Sequence, residues 1–490
     1  MDSRLYLRAA PLVLLLVVAI FAPLIVAILG LPHPGTVDFH ALGPLSLPVG
    51  PSSAHPFGVD NLGRDVLARV LFGARTALGE VLVATALAGA VAFSLRAATG
   101  NRYGAPVIRY LLGLLDALPA VVIGLLLWVT GMRPSVLLVG VVLLLDGLPA
   151  AVAGIRHRDL VSARAALELI ARNLAITTSL AFFALGGSAV SWGGMTADAI
   201  VTIREGINAW WWLLAPMIAM TLSIASFRWL AAGLPAPAPT DNRTSVTGAL
   251  ALGVGVLAVC WLALGATPAF GAAFAHLSAT VSLVLVAGVL CFAAALVIAA
   301  LPPLRLRGRS GRVVAAKWRV LSSAPVGAVA GLLLWLFSSD VGRFPLLPGA
   351  GSYAGLRAAT GSWFSSLVLP WLALSFVIAS FASGRPDRRM DLAARAAGLH
   401  RSRIVGRRIR LRAVDLLVLS PRRLSAIVSV ALVAEVVFEI PGLGSFARDS
   451  IAAGHPPAVA GAAAVTALST AVVLFVLALA RLLVDPRERR

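Results

Sequence analysis

Residues 10–30 read APLVLLLVVAIFAPLIVAILG, an unbroken apolar run without one charged side chain. An α-helix rises about 1.5 Å per residue, so such a run crosses a hydrocarbon core of about 30 Å. Further runs of this kind recur along the chain, among them 283–301. Of the 490 residues 59% are hydrophobic and only 13% charged, more apolar surface than a water-facing fold of this size can cover. The first run is too long for a secretory h-region and has no clear small-residue cleavage site, so it is expected to stay as an anchor. The fold class that follows is an all-α polytopic membrane protein.

Twelve spans are expected, near 10–30, 76–97, 108–130, 134–155, 173–191, 209–233, 246–266, 278–302, 319–338, 364–384, 424–440 and 457–483. With a cytoplasmic N-terminus, the inner loops, tails and helix ends carry 33 lysines and arginines and the outer loops 8, together the 41 of the chain. That asymmetry is the positive-inside pattern, and it also accounts for the net charge of +20. The basic balance is thus a topology signal, and nucleic acid is not an expected partner. The two cysteines, Cys260 and Cys291, both fall in expected spans and form neither a disulfide framework nor a metal site. His33, His40 and His55 share the first outer loop without ligand-like spacing, so no metal is expected there.

A Pro-rich stretch, GLPAPAPTDNR at 233–243, divides the spans into two sets of six. The expected domains are 1–233 and 246–490, joined by a cytoplasmic linker at 234–245. Both halves start from the same side, which makes a parallel pseudo-repeat. After the fourth span of each half comes a short Ala/Arg segment in a cytoplasmic loop. In the second half it is DLAARAAGL at 391–399, framed by arginines. Leu392, Ala396 and Leu399 share one helical face, and the alanines keep the side-chain layer thin. Gly398 suits a left-handed helix end. A thin, rigid, sharply ended helix beside the membrane can serve as a lever for a cytoplasmic partner. The matching stretch of the first half, DLVSARAALELIARNLA at 159–175, holds Asp159, Ala163, Arg164 and Ala166, with Glu168 where a glycine is expected.

Carboxylates inside apolar spans are costly and mark functional candidates or local backbone partners. Asp116 and Asp146 each precede Leu-Pro-Ala, as DALPA and DGLPA. Glu80 and Glu435 lie within spans and Glu439 at a span end. Pro421 suits a first helical turn, which starts a span there and puts Arg422 and Arg423 at the inner interface.

The order ARAAGL at 394–399, then VAEVVFEIPGLGSFARDSI at 433–451, resembles the B-type permease subunits of peptide-type ABC importers, whose cytoplasmic "EAA" loop reads ARAxGL. HLSATVSLVLVAGVLCFAAALVIAAL at 276–301 and FPLLPGAGSY at 344–353 are similar to the same subunits. The first half resembles the C-type partner through HPFGVDNLGRDVLARVLFGARTAL at 55–78, SWGGM at 191–195 and AWWWLLAPMIAMTLSIASFRWLAAGL at 209–234. The resemblance implies a natural fusion of two permease subunits in one chain, with the type I importer fold.

It also implies a membrane permease that moves di- or oligopeptides or a related small solute, delivered by an extracytoplasmic binding protein. Two cytoplasmic ABC ATPase subunits, or one fused ATPase, would drive it. ATP and magnesium would sit on those partners, because this chain has no GxxxxGK[ST] loop. The ATPase contact would be Asp391, Ala394, Arg395, Ala396, Ala397, Gly398 and Leu399, with the 159–168 segment a weaker contact. Glu435, Phe438, Pro441, Gly442 and Gly444, with Asp116 and Asp146, are the candidate pathway or gate residues. The chain is expected to be no enzyme and to reside in the bacterial inner membrane with both termini cytoplasmic. A nickel chelate or metallophore is an alternative solute. A secondary transporter of the major-facilitator type is the alternative architecture, since it too has twelve helices in two halves.

Overall fold

The computed structural model describes residues 3–99, 104–155, 160–187, 190–235, 269–300, 320–355, 359–381 and 420–484, and scattered positions within 248–258, at 318 and within 396–409. The first half contributes α1 (Ser3–Ile28), α2 (Val66–Thr99), α3 (Gly104–Ala117), α4 (Ala120–Val129), α5 (Val136–Ile155), α6 (Leu160–Ala181), α7 (Trp192–Arg204) and α8 (Trp210–Ala231). The second contributes α9 (Ala269–Ala275), α10 (Leu277–Ala300), α11 (Val326–Phe337), α12 (Thr360–Phe381), α13 (Pro421–Phe438), α14 (Leu443–Ala452) and α15 (Pro456–Val484).

Among the described residues, six helices are long and apolar enough to cross a membrane, or eight if each of two bent pairs counts as one span. The first run is the most apolar of them, yet only 22% of it is buried. Val13, Leu14, Ile20 and Leu24 stand exposed on it. Exposed leucine and valine over a whole helix face suit a lipid solvent.

The two halves repeat one plan. A short helix capped by a proline (Pro119 before α4, Pro325 before α11) starts each set. A long helix follows (α5, α12), then another (α6, α13), a short outer helix (α7, α14) and a long final helix (α8, α15). Within each half the same partners meet: α2 with α5 and α10 with α12, α6 with α8 and α13 with α15, α7 with α8 and α14 with α15. Across the seam the packing is reciprocal. Helix α4 lies on α13 and α15, and α11 lies on α6 and α8. Such swapping is what an approximate internal two-fold axis produces.

Glycines set the closeness of this packing at equivalent points. A Cβ on Gly193 of α7 would come 2.8 Å from the Cα of Thr178 on α6, and one on Gly444 of α14 would come 2.4 Å from the carbonyl oxygen of Leu432 on α13. Each short outer helix therefore lies directly on the backbone of the long helix before it.

Three expected spans are redrawn. The 108–130 span is broken at Leu118–Pro119, where α3 and α4 meet at a bend of 97°. Pro119 in extended conformation ends one helix and caps the next. The same Leu-Pro-Ala at 148–150 leaves α5 unbroken around Pro149. The span placed at 173–191 begins instead at Leu160 and ends at Ala181. The run of Ala, Leu, Arg and Glu between 160 and 172 favours helix throughout, and Arg164 pairs with Glu168 one turn on at 2.9 Å. The span near 424–440 begins at Pro421, as its first-turn proline implies, capped by Ser420, whose hydroxyl accepts from the Arg423 amide; it is redrawn at its other end, where it bends by 66° into α14. Helices α7 and α14 occupy stretches that the sequence reading left as outer loops.

Candidate functional site

The first turn of α13 carries a guanidinium from the second half into the first. Arg422 Nε lies 3.3 Å from Asp116 Oδ1 at the end of α3, and its Nη2 donates to the carbonyl oxygen of Asp146 on α5 at 3.2 Å. Arg172 of α6 donates to Asp146 Oδ1 at 2.7 Å. Two carboxylates and two guanidiniums thus balance one another. Asp146 is 2% exposed, whereas Asp116, Arg172 and Arg422 keep partial access to solvent. Oδ2 of Asp146 and Nη1 of Arg172 have no hydrogen-bond partner among the described residues. The structure brings Asp116 and Asp146 together, and it places Arg422, in the first turn of α13, on both of them.

The other end of α13 is also tied across the seam. Arg204, the last residue of α7, pairs with Glu439 and donates to the carbonyl oxygen of Val436 at 3.2 Å. Burial lowers the Arg204 guanidinium from its ordinary value, and the Glu439 carboxylate opposes that shift. Glu439 stands in the left-handed region at φ 52°, which ends α13. The amide of Gly351 donates to the Phe438 carbonyl oxygen at 3.0 Å and secures the same turn.

Between these ends sits Glu435, fully buried. Its Oε2 accepts from the Gly444 amide at 2.6 Å, its carbonyl oxygen accepts from the Ile440 amide, and the Ser445 hydroxyl donates to that carbonyl at 3.1 Å. The N-cap of α14 is Gly442, which has no side chain to cap with; the Glu435 carboxylate supplies the cap from the preceding helix. A Cβ at Gly442 would lie 2.3 Å from the Glu435 carboxyl carbon, so a side chain there would displace the capping carboxylate. Pro441 offers its carbonyl oxygen to His276 Nδ1 at 3.0 Å, and the His276 ring stacks on Phe446 at 4.6 Å. Phe438 is buried in the core. Glu435, Phe438, Pro441, Gly442 and Gly444 therefore form one turn, at the opposite end of α13 from Asp116 and Asp146.

Of the lever residues, Ala163, Arg164, Ala166 and Glu168 lie in the opening turns of the continuous α6. Arg164 also donates to the carbonyl oxygen of Leu234 at 3.0 Å, close to the end of the first half. In the second half Ala396 is helical and exposed. Asp391, Ala394, Arg395, Ala397, Gly398 and Leu399 lie outside the described residues, as do Asp159 and most of the 234–245 linker.

The 55–78 stretch folds into a knot at the head of α2. Asp60 is fully buried, accepts from the amides of Leu62 and Arg64 and pairs with the side chains of Arg64 and Arg69. Asp65 caps α2 through the Ala68 amide at 2.7 Å and pairs with His55 Nδ1 at 2.9 Å. Trp211 donates to the Val59 carbonyl oxygen and ties this loop to α8. Glu80 lines a small cavity beside Thr177 and Ser191. Among the described residues, no group of three or more His, Cys, Asp or Glu could hold a metal ion.

Sequence reasoning missed Arg172 and Arg204, and it put Arg422 in the first turn of its helix without naming its partners. One signal was available: carboxylates in apolar helices require cations, and Arg204 and Arg422 lie at helix ends, though Arg172 sits in the middle of α6. Residues 292–490 match the family described as binding-protein-dependent transport system inner membrane component. The dipeptide transport system permease protein DppC of Bacillus subtilis is 28% identical over 260 residues, 46% of this chain and 77% of that protein. A helical bundle with apolar spans, two like halves and a charged seam agrees with those matches: over 292–490 the chain is similar to inner-membrane components of binding-protein-dependent transport, and it is similar as well to a dipeptide permease.

Proposed function

We propose that this chain is the whole transmembrane permease of an ATP-driven importer, with a C-type half at 1–233 and a B-type half at 246–490. It takes up di- or oligopeptides, or a similar small solute, delivered by an extracytoplasmic binding protein. The observation that carries the reading is the reciprocal packing of α4 on α13 and α15 and of α11 on α6 and α8. Two subunits that usually meet as separate chains would pack in that way, and one chain supplies both sides here. The relative named for dipeptide transport supports the solute class.

ATP is hydrolysed on separate ATPase subunits, which push the segment around Ala396 and, less firmly, the start of α6. The termini and the 234–245 linker face those subunits, in line with the charge asymmetry. The test is reconstitution in liposomes with the ATPase and binding-protein partners and a labelled dipeptide. ATP-dependent accumulation, abolished by Gly398→Val without loss of the protein from the membrane, supports the proposal. Uptake that follows a proton gradient and ignores ATP would replace it with a secondary transporter.

A further inference from the structure

Helix α13 belongs to the second half, yet both of its ends are fastened to the first. At its first turn Arg422 meets Asp116 of α3 and the Asp146 carbonyl of α5. At its last turn Arg204 of α7 meets Glu439 and the Val436 carbonyl. The two attachments lie roughly 25 Å apart along the helix, at about 1.5 Å per residue. Between them α13 presents Leu424, Ile427, Ala431, Leu432 and Val433, all buried. Apolar packing of this kind has no directional bonds to break when helices slide. The ionic attachments do, and among the described residues those of α13 sit at its ends.

We propose that these attachments are two separately releasable ionic pins, which close the seam between the halves at its two ends. This rests on the permease reading above and adds the residues that hold each end shut.

Both pins are built so that the carboxylates they release keep a partner or gain water. An ion pair buried on all sides costs several kcal/mol to break, because the remaining charge has no partner. Here Asp146 is the deeply buried member, and it keeps Arg172 when Arg422 leaves. Its free Oδ2 and the free Nη1 of Arg172 can then close a second hydrogen bond between them, as guanidinium and carboxylate do in a two-point pair. Asp116, 17% exposed, can take water instead. At the other pin Glu439 is 45% exposed and hydrates on release. Arg204 stays near Glu205 and Asp449, whose charges favour its own, with Arg448 opposing.

The test uses the full-length chain in lipid nanodiscs, with Cys260 and Cys291 replaced by serine and one reporter cysteine at a time. Ser425→Cys reports on the first pin: Ser425 is buried one turn inside Arg422 and donates to its carbonyl. Ser445→Cys reports on the second: Ser445 binds the Glu435 carbonyl, next to the Val436 carbonyl held by Arg204. Arg422→Gln should raise the thiol-labelling rate at 425 by about tenfold or more, the change given by some 1.4 kcal/mol, and leave 445 within about twofold. Arg204→Gln should do the converse. The swap Arg422→Asp with Asp116→Arg should return labelling at 425 toward the parent rate, which a loosened or misfolded protein would not do.

Both reporters rising together in either variant, no change in either, or a swap that fails to restore protection would each overturn the proposal. The labelling needs neither solute nor ATP. Separate release without ATP-dependent uptake would thus sink the importer reading alone, and uptake without separate release would sink the pins alone.

Discussion

Replacing Glu435 by alanine removes the acceptor for the Gly444 amide and leaves the first turn of α14 uncapped. An unpaired buried donor costs about 1–3 kcal/mol, so thermal unfolding in detergent should shift down by several degrees. Gly442→Ala should also destabilise, because its methyl group meets the Glu435 carboxyl. The double variant Gly442→Ala with Glu435→Ala should be more stable than Gly442→Ala plus the separate loss from Glu435→Ala would give, since the clash needs both side chains. Strict additivity of the two melting shifts would contradict the contact.

Asp60→Asn tests the knot at the head of α2 in the same assay. It strips the buried charge that faces Arg64 and Arg69 and should cost about 3–5 kcal/mol, the penalty for breaking a buried pair. A melting curve unchanged by Asp60→Asn would show that the knot does not hold the loop. At this scale the sequence exposed the carboxylates but not their partners. Asp116 and Asp146 stand out as acids in apolar runs, whereas Arg422 reaches Asp146 across 276 positions of chain. No local pattern records such a pairing.

Helix boundaries were legible where a residue fixes backbone geometry locally. Ser420 and Pro421 start α13 because a serine cap and a first-turn proline satisfy the free amides there. The elbow at Pro119 was not legible, because Pro149 sits in the same tripeptide and leaves α5 straight enough to continue. Tertiary packing separates the two cases: α5 runs along α2 and α6, whereas α4 turns to reach α13 and α15. The early start of α6 was hidden by its charges, which suggested a loop although Ala, Leu, Arg and Glu, all good helix formers, dominate the stretch.

That continuity bears on coupling. Ala163, Arg164 and Ala166 lie on the same rigid helix that packs on α8, while the second half keeps ARAAGL in its basic frame. Ala396→Glu should therefore lower ATP-dependent uptake at least about tenfold, roughly 1.4 kcal/mol of lost coupling, and Ala166→Glu should lower it far less. Both proteins must be equally abundant in the membrane for the comparison. Equal losses would show that the two segments couple alike.

Over the whole molecule, composition alone was enough for an all-helical membrane protein; the division at the Pro-rich stretch 233–243 stays an expectation of the sequence. The number of crossings was harder to read, since bent pairs and short outer helices share the apolar composition of true spans. Orientation remains a prediction of the charge pattern. A cysteine at position 240 should be protected from an impermeant thiol reagent in intact cells and labelled after lysis, because basic residues concentrate on that side. Labelling in intact cells would reverse the topology.

In the function proposed above, one 50.6 kDa chain supplies both halves of the permease. Native mass spectrometry of the complex purified with its ATPase subunits tests this most directly. The expected mass is that of one copy of this chain with two ATPase domains, whether on one polypeptide or two. Two copies of this chain in each complex, with one half of each idle or swapped, would contradict it.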